Sequence, residues 1–320
     1  MGRRCTLSVG LALGIVVSSA LMAGVGQPAS GASLYRSANA VKPGGRGPDW
    51  QGAKTVTYCV QGSRPLLMTL FAPTNAVARP VPAVLQVHGG GWQQGSRFLS
   101  LSGSGSGTLT DLVNAGFVVA SIDYRLAPEN PWPDQIEDVK CAVRFLRAHA
   151  TALGIDADQI AALGTSAGDQ LVSLLGTTGS SPLWDTGSFL NVSSEVEAVV
   201  DEFGPADLSA TNWPPDSSNM IRRVFGAAPG TASPVLVAAS PSLHVAAGDP
   251  PFLIVQGTDD QVVPPGQSER FASRLRSAGV GVQLVLVDRG RHGLETPGEE
   301  PSQPAIDSLI TAYLQRAFHR

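Results

Sequence analysis

The run Gly-Thr-Ser-Ala-Gly at 164–168 sets one serine between two glycines, each two residues away. The apolar stretch QIAALG leads into it and LVSLLG follows, so a strand precedes the serine and a helix succeeds it. In that order the spacing predicts a sharp turn that lifts the Ser166 hydroxyl above a sheet edge. Side chains two positions either side would collide, which accounts for glycine at 164 and 168. The same turn aims the backbone N–H of Ala167, at a helix N-terminus, toward developing negative charge. The chemistry this permits is attack of a hydroxyl on a carbonyl carbon.

A second run, HGGGW from His88 to Trp92, ends the stretch VPAVLQV. Three glycines after a buried strand let backbone approach an oxyanion. The N–H groups of Gly90 and Gly91 are therefore expected to join Ala167 in an oxyanion hole. A serine hydroxyl is a poor nucleophile at neutral pH and needs a base. Five histidines compete. His88 belongs to the glycine loop, His149 caps a helix, His244 lies in a loop, and His319 is one residue from the end. His292, in GRHGL just past VQLVLVD, is the expected base. Its orienting acid should also follow a late strand; FLIVQGTDDQVVP offers Asp260, with Asp259 as fallback. Trp92 and Trp213 are expected to line a substrate pocket, and Tyr124 and Phe203 to pack in the core. No metal-ligand spacing appears, and this chemistry requires neither metal nor cofactor.

Positioning these groups takes a sheet. Apolar, β-rich runs fall at 55–61, 66–71, 81–88, 117–123, 159–164, 197–203, 252–257 and 282–288. The later ones are nearly unbroken Val, Ile and Leu, as in parallel strands covered on both faces. Helical spacing lies between them. Ile136, Val139, Val143 and Leu146 form one stripe, with Gly154 as its stop. Phe271 and Leu275 mark a second helix, and Ile306, Ile310 and Leu314 a third. Two loop-rich stretches, 177–196 and 210–251, are expected to build a cap.

The 320 residues are 43% hydrophobic and 15% charged, too apolar for a disordered chain. A net charge of −4 without a basic block argues against nucleic acid as the main partner. Arg3 and Arg4, the apolar stretch Leu7 to Ala23 and the small residues QPASGAS read as a secretory signal over 1–32. An uncleaved anchor is the alternative. Beyond residue 30 no run is long enough to cross a bilayer as a helix, so no stable membrane insertion is expected after cleavage. Residues 33–52 read as a flexible leader and 53–320 as one domain, in a secreted protein. Cys59 and Cys141 are either a disulfide of an exported chain or two buried thiols.

Taken together, HGGGW, SIDYRLAPENPWPDQIEDVKCAVRFLRAHA, GIDADQIAALGTSAG, VVDEFGPADL, and ASPSLHVAAGDPPFLIVQGTDDQVVP followed by GRHGL resemble α/β-hydrolases of the esterase/lipase type. The similarity is to the bifunctional acetylxylan/feruloyl esterase-like group, near the hormone-sensitive-lipase-like esterases, and runs from about residue 55 to the end. It implies an α/β-hydrolase fold: a mostly parallel eight-stranded sheet, helices on both faces and a small loop-rich cap. It also implies a serine carboxylesterase that acts on short-chain or plant-polysaccharide-derived esters through an acyl-enzyme. An exported peptidase of the same fold, or a non-catalytic hydrolase-fold binding protein, are the alternatives. In that group the acid stands three residues after the glycine closing strand seven, which here is Asp260 after Gly257. Two departures stand out. Asp169 and Gln170 replace the Gly-His of related sequences, and Gln256 stands where histidine is frequent. Asp169 suits a helix N-terminus and is expected to pair with an arginine or face water. Facing the oxyanion hole, it would oppose the transition-state charge.

Overall fold

The computed structural model describes residues 53–73, 80–98 and 104–318; the expected signal (1–32), the leader (33–52) and His319 lie outside them. Eight strands form one sheet: β1 (Lys54–Gln61), β2 (Arg64–Phe71), β3 (Val81–Val87), β4 (Val118–Ile122), β5 (Ile155–Thr165), β6 (Ala198–Glu202), β7 (Phe252–Gly257) and β8 (Val282–Val287). Their order is β1-β2-β4-β3-β5-β6-β7-β8. β2 runs antiparallel to β1 and β4, and every neighbouring pair from β4 to β8 is parallel. This is the α/β-hydrolase sheet.

The period of two in each strand feeds two cores. Leu85 and Val87 of β3 face one and Val84 the other; on β7, Phe252 and Ile254 oppose Leu253 and Val255. The first core receives Ile136 from α2 (Asp134–Ala148), Leu171 from α4 (Ala167–Thr178) and Phe271 from α7 (Gly266–Ser277). The second receives Leu109 from α1 (Ser104–Asn114) and Ile310 from α8 (Gln303–Phe318). Apolar residues on both faces of a strand leave no polar stripe, hence the unbroken Val/Ile/Leu runs.

Three elements depart from the sequence pattern. α1 has the helix-poor sequence SGSGTLTDLVN. Its two glycines cost about 2 kcal/mol relative to alanine. Burying Leu109 and Leu112 returns about 1.5–3 kcal/mol each, so packing overrides propensity. β5 begins at Ile155, ahead of the apolar run, because buried Ile155 pairs with Val81 across a register slip. The helical run from 134 breaks at His149 into α2 and the short α3 (Ala150–Leu153), which Gly154 stops at φ 67°.

The stretch 210–251 holds α5 (Pro215–Phe225), α6 (Pro234–Ala238) and a 3-10 turn, Pro241–Leu243. The loop after α4 is tied down by cations of α2. Lys140 Nζ donates to the carbonyls of Ser181 at 2.6 Å and Leu183 at 2.8 Å. Arg144 reaches Ser188 O at 3.2 Å and the Asp185 carboxylate at 2.6 Å, and Arg147 reaches Glu195 O at 2.8 Å. Lys140 and Arg144 are fully buried, so these acceptors replace the water they lost.

Cys59 of β1 and Cys141 of α2 form a disulfide across 82 residues of sequence. Closing a loop of that size restricts the unfolded chain by about 4 kcal/mol. Replacing both cysteines by alanine is expected to lower unfolding stability by about 3–4 kcal/mol, read as a shift in the urea midpoint.

Candidate active site

Parallel strands deliver their following loops to one rim, and the site is assembled there. Ser166 joins β5 to α4 at φ 53° and ψ −118°. Its N–H donates to Glu202 O at the end of β6, at 2.9 Å. A Cβ on Gly164 would strike the Gly168 carbonyl, and one on Gly168 would strike the backbone of Val87 and His88. The two glycines therefore permit both the turn and the contact of α4 with β3.

His292, after β8, places Nε2 2.9 Å from Ser166 Oγ and Nδ1 2.8 Å from Asp260 Oδ2. With Nδ1–H donating to the carboxylate, Nε2 is free to accept the serine proton. Asp260 is buried and well supplied with donors. The N–H groups of Val262 and Val263 reach Oδ1 at 2.8 and 2.9 Å, and Gln256 Nε2 reaches Oδ2 at 3.1 Å. With His292 Nδ1, four donors in all aim this carboxylate. Asp259, the fallback acid, is exposed.

Two supporting residues take roles at the site that sequence reading did not assign them. Gln256 accepts from Ser268 Oγ at 2.8 Å while it donates to Asp260, so its amide fixes the acid. Phe203, expected only to pack in the core, is buried there and also meets the His292 ring edge-on, centroids 4.9 Å apart. It does so from φ 50°, immediately after β6. Strand-end position is the signal that flags both.

The remaining histidines are engaged elsewhere. His88 Nδ1 lies 2.7 Å from Gly89 O, and its ring stacks on Tyr124 at 4.3 Å. Burial holds its pKa down at about 4, so it stays neutral and shapes the glycine loop. His149 and His244 bond the carbonyls of Phe145 and Ala238. In the glycine loop, Gly90 O accepts from Gln93 N and Gln94 N, both at 3.2 Å, which closes a turn. Gly91 follows at φ 61° and lies beside Ser166 and Ala167 on the wall of a cavity that opens to solvent.

Trp92 and Trp213 line that cavity. Trp92 is buried; its Nε1 donates to Gln170 Oε1 at 2.9 Å, and Gln170 Nε2 donates to Ala239 O at 2.7 Å. The departure at 170 is thus a clamp on the pocket tryptophan. Trp213 is half-buried and donates to Asp207 O at 3.2 Å.

Asp169 meets neither arginine nor water, contrary to expectation. It is fully buried, accepts from Ser173 Oγ at 2.9 Å, packs on Gly204 and faces the buried Asp201 carboxyl. Burial, then the charge of Asp201, pushes its pKa well above the carboxylate range. The protonated form of Asp169 is thereby favoured at the start of α4. The reason lies in the fold: β6 sets Asp201 alongside the first turn of α4, deeper than any arginine reaches. Glu202 is also fully buried, and Oε1 has no hydrogen-bond partner among the described residues. Burial, reinforced by Asp307 and Asp201, lifts its pKa from 4.5 to about 8. The folded state thus binds a proton that the unfolded chain has lost, and this contribution to stability fades as pH rises from 4.5 to about 8. Glu202→Gln is expected to add on the order of 3 kcal/mol at pH 8 and under about 1 kcal/mol at pH 5, measured by urea unfolding at both.

The chain is 34% identical over 249 residues to the esterase LipC of Mycobacterium tuberculosis, covering 77% of this chain and 59% of LipC. It therefore spans less than two thirds of that relative. Among solved structures it superposes on a truncated carbohydrate esterase from gut microbiota with TM-score 0.74 and 27% identity, covering 85% of this chain and 99% of that one. The propionate-bound esterase Est2 of Thermogutta terrifontis gives TM-score 0.69 and 26% identity over 85% of this chain and 96% of its own. The BD-FAE family model matches residues 68–275, and the chain belongs to that family of α/β-hydrolases.

Proposed function

We propose that the chain is a secreted carboxylic ester hydrolase in which Ser166 is the nucleophile, His292 the general base and Asp260 its orienting acid. The observation that carries this reading is the hydrogen-bond line Asp260–His292–Ser166, which ends at a cavity walled by Gly91 and Ala167. His292 Nε2 takes the serine proton as Oγ attacks the ester carbonyl carbon. The imidazolium so formed is held by Asp260. The tetrahedral oxyanion is met by the N–H groups of Ala167 and Gly91, with Gly90 beside them. Collapse breaks the bond to the alcohol oxygen, which takes the proton from His292. Water then attacks the acyl-Ser166 ester with His292 again as base, and the acid and free serine are released.

Family membership and the esterases among its relatives support the reaction class. A propionate-bound relative supports short acyl groups, and a carbohydrate esterase supports esters carried on carbohydrate, of which plant-polysaccharide fragments are the source we propose. Export is supported by the basic start, the apolar stretch and small residues of 1–32, and by the disulfide, which belongs to an oxidising compartment.

Ser166→Ala is expected to lower p-nitrophenyl acetate hydrolysis roughly 10⁶-fold, to background. An organophosphorus probe should add one adduct to the wild-type protein by mass spectrometry and none to the variant. Wild type that neither reacts with the probe nor cleaves any ester would leave a binding protein. Cleavage of short peptides in preference to acetyl esters would turn the reading to a peptidase.

A further inference from the structure

We infer that Met220 limits the length of acyl chain the site accepts, which restricts it to esters of short acids, acetate to butyrate. This rests on the esterase reading above and concerns the same cavity. α5 supplies Ser217, Met220 and Ile221 to the wall beside Ser166, at the i, i+3, i+4 spacing of one helix face. The wall is mainly apolar, with Trp92, Ile221, Val262 and Val263 on it, which suits an alkyl chain better than a sugar. The acyl group stays covalently attached through the reaction while the alcohol departs, so the lined cavity falls to the acyl arm.

Its walls are not equally fixed. Trp92 is buried, hydrogen-bonded through Nε1 to Gln170, and packed edge-on against Phe225 at 5.0 Å. Ile221 and Val263 are buried. Ser217 donates its hydroxyl to Val262 O at 2.7 Å, which pins α5 to the loop that bears Asp260. Met220 is half-buried, and its Sδ lies 2.3 Å from where a Cβ on Gly91 would stand. It thus lies over the backbone assigned to the oxyanion. An acyl chain whose carbonyl oxygen points at Gly91 and Ala167 extends along this wall and meets the thioether. Three rotatable bonds let the side chain yield a little, so the limit is graded.

The test compares kcat/KM along two series of esters: p-nitrophenyl esters from acetate to octanoate, and acetates of alcohols of increasing size. Each newly buried methylene is worth about fourfold. Met220→Ala is expected to raise the octanoate-to-acetate ratio about 10- to 50-fold. Met220→Phe is expected to lower the butyrate-to-acetate ratio about tenfold, and neither variant should reorder the alcohol series. Thermal melting identifies a misfolded variant, in which case the other decides. Unchanged acyl profiles in an active enzyme, or a change confined to the alcohol series, would overturn the inference. Wild type inactive on both series would overturn the esterase reading instead.

Discussion

A hydroxyl at a strand end reaches a substrate only if the chain reverses within one residue, and Ser166 does this at φ 53°. A non-glycine residue in that region costs of order 1–3 kcal/mol, so the turn persists only where its surroundings impose it. The Glu202 carbonyl holds the serine N–H, and Gly164 and Gly168 let the ends of β5, β3 and α4 meet backbone to backbone. α4 then buries Leu171, Leu174 and Leu175 completely. At about 1.5–3 kcal/mol each, these three side chains outweigh the strain. The helix that anchors the turn also presents the Ala167 amide, so the strain and the electrostatics of the site share one origin.

The buried carboxyl groups around this turn meet very different sets of hydrogen-bond donors. Asp260 collects four hydrogen-bond donors. Asp169, Asp201 and Glu202 lie buried together, and burial raises the pKa of each. Three neighbouring buried acids disfavour one another's ionisation, and the protonated form of Asp169 is the favoured one at the start of α4. The same contrast of solvation and donors separates acid from base roles in enzymes generally.

The strands β3 to β7 were legible because burial on both faces leaves nearly uninterrupted apolar runs, and β1, β2 and β8 through their β-branched and apolar residues. α2, α7 and α8 were legible through their stripes. α1 and α5 were not: the first is rich in glycine and serine, and the second lies in a stretch read as loop. Ser166, His292 and Asp260 could be picked out because each ends a strand or follows one closely. The contact between Asp169 and Asp201 depends on β6 lying next to β5, a neighbour relation with no local signature. Gln256, Phe203 and Met220 act through tertiary contacts for the same reason. Cys59 and Cys141 stayed open in the sequence, since only the docking of α2 on β1 sets their separation.

The disulfide also changes how this molecule can come apart. Among the described residues β1 is an edge strand, paired on one side by β2, and such strands are usually the first to fray. Frayed backbone is what a protease cuts. Here β1 cannot peel away without drawing on α2, which packs against α4 directly behind Ser166. Opening at the rim is therefore coupled to loss of the core, and digestion at this edge must wait for near-global unfolding.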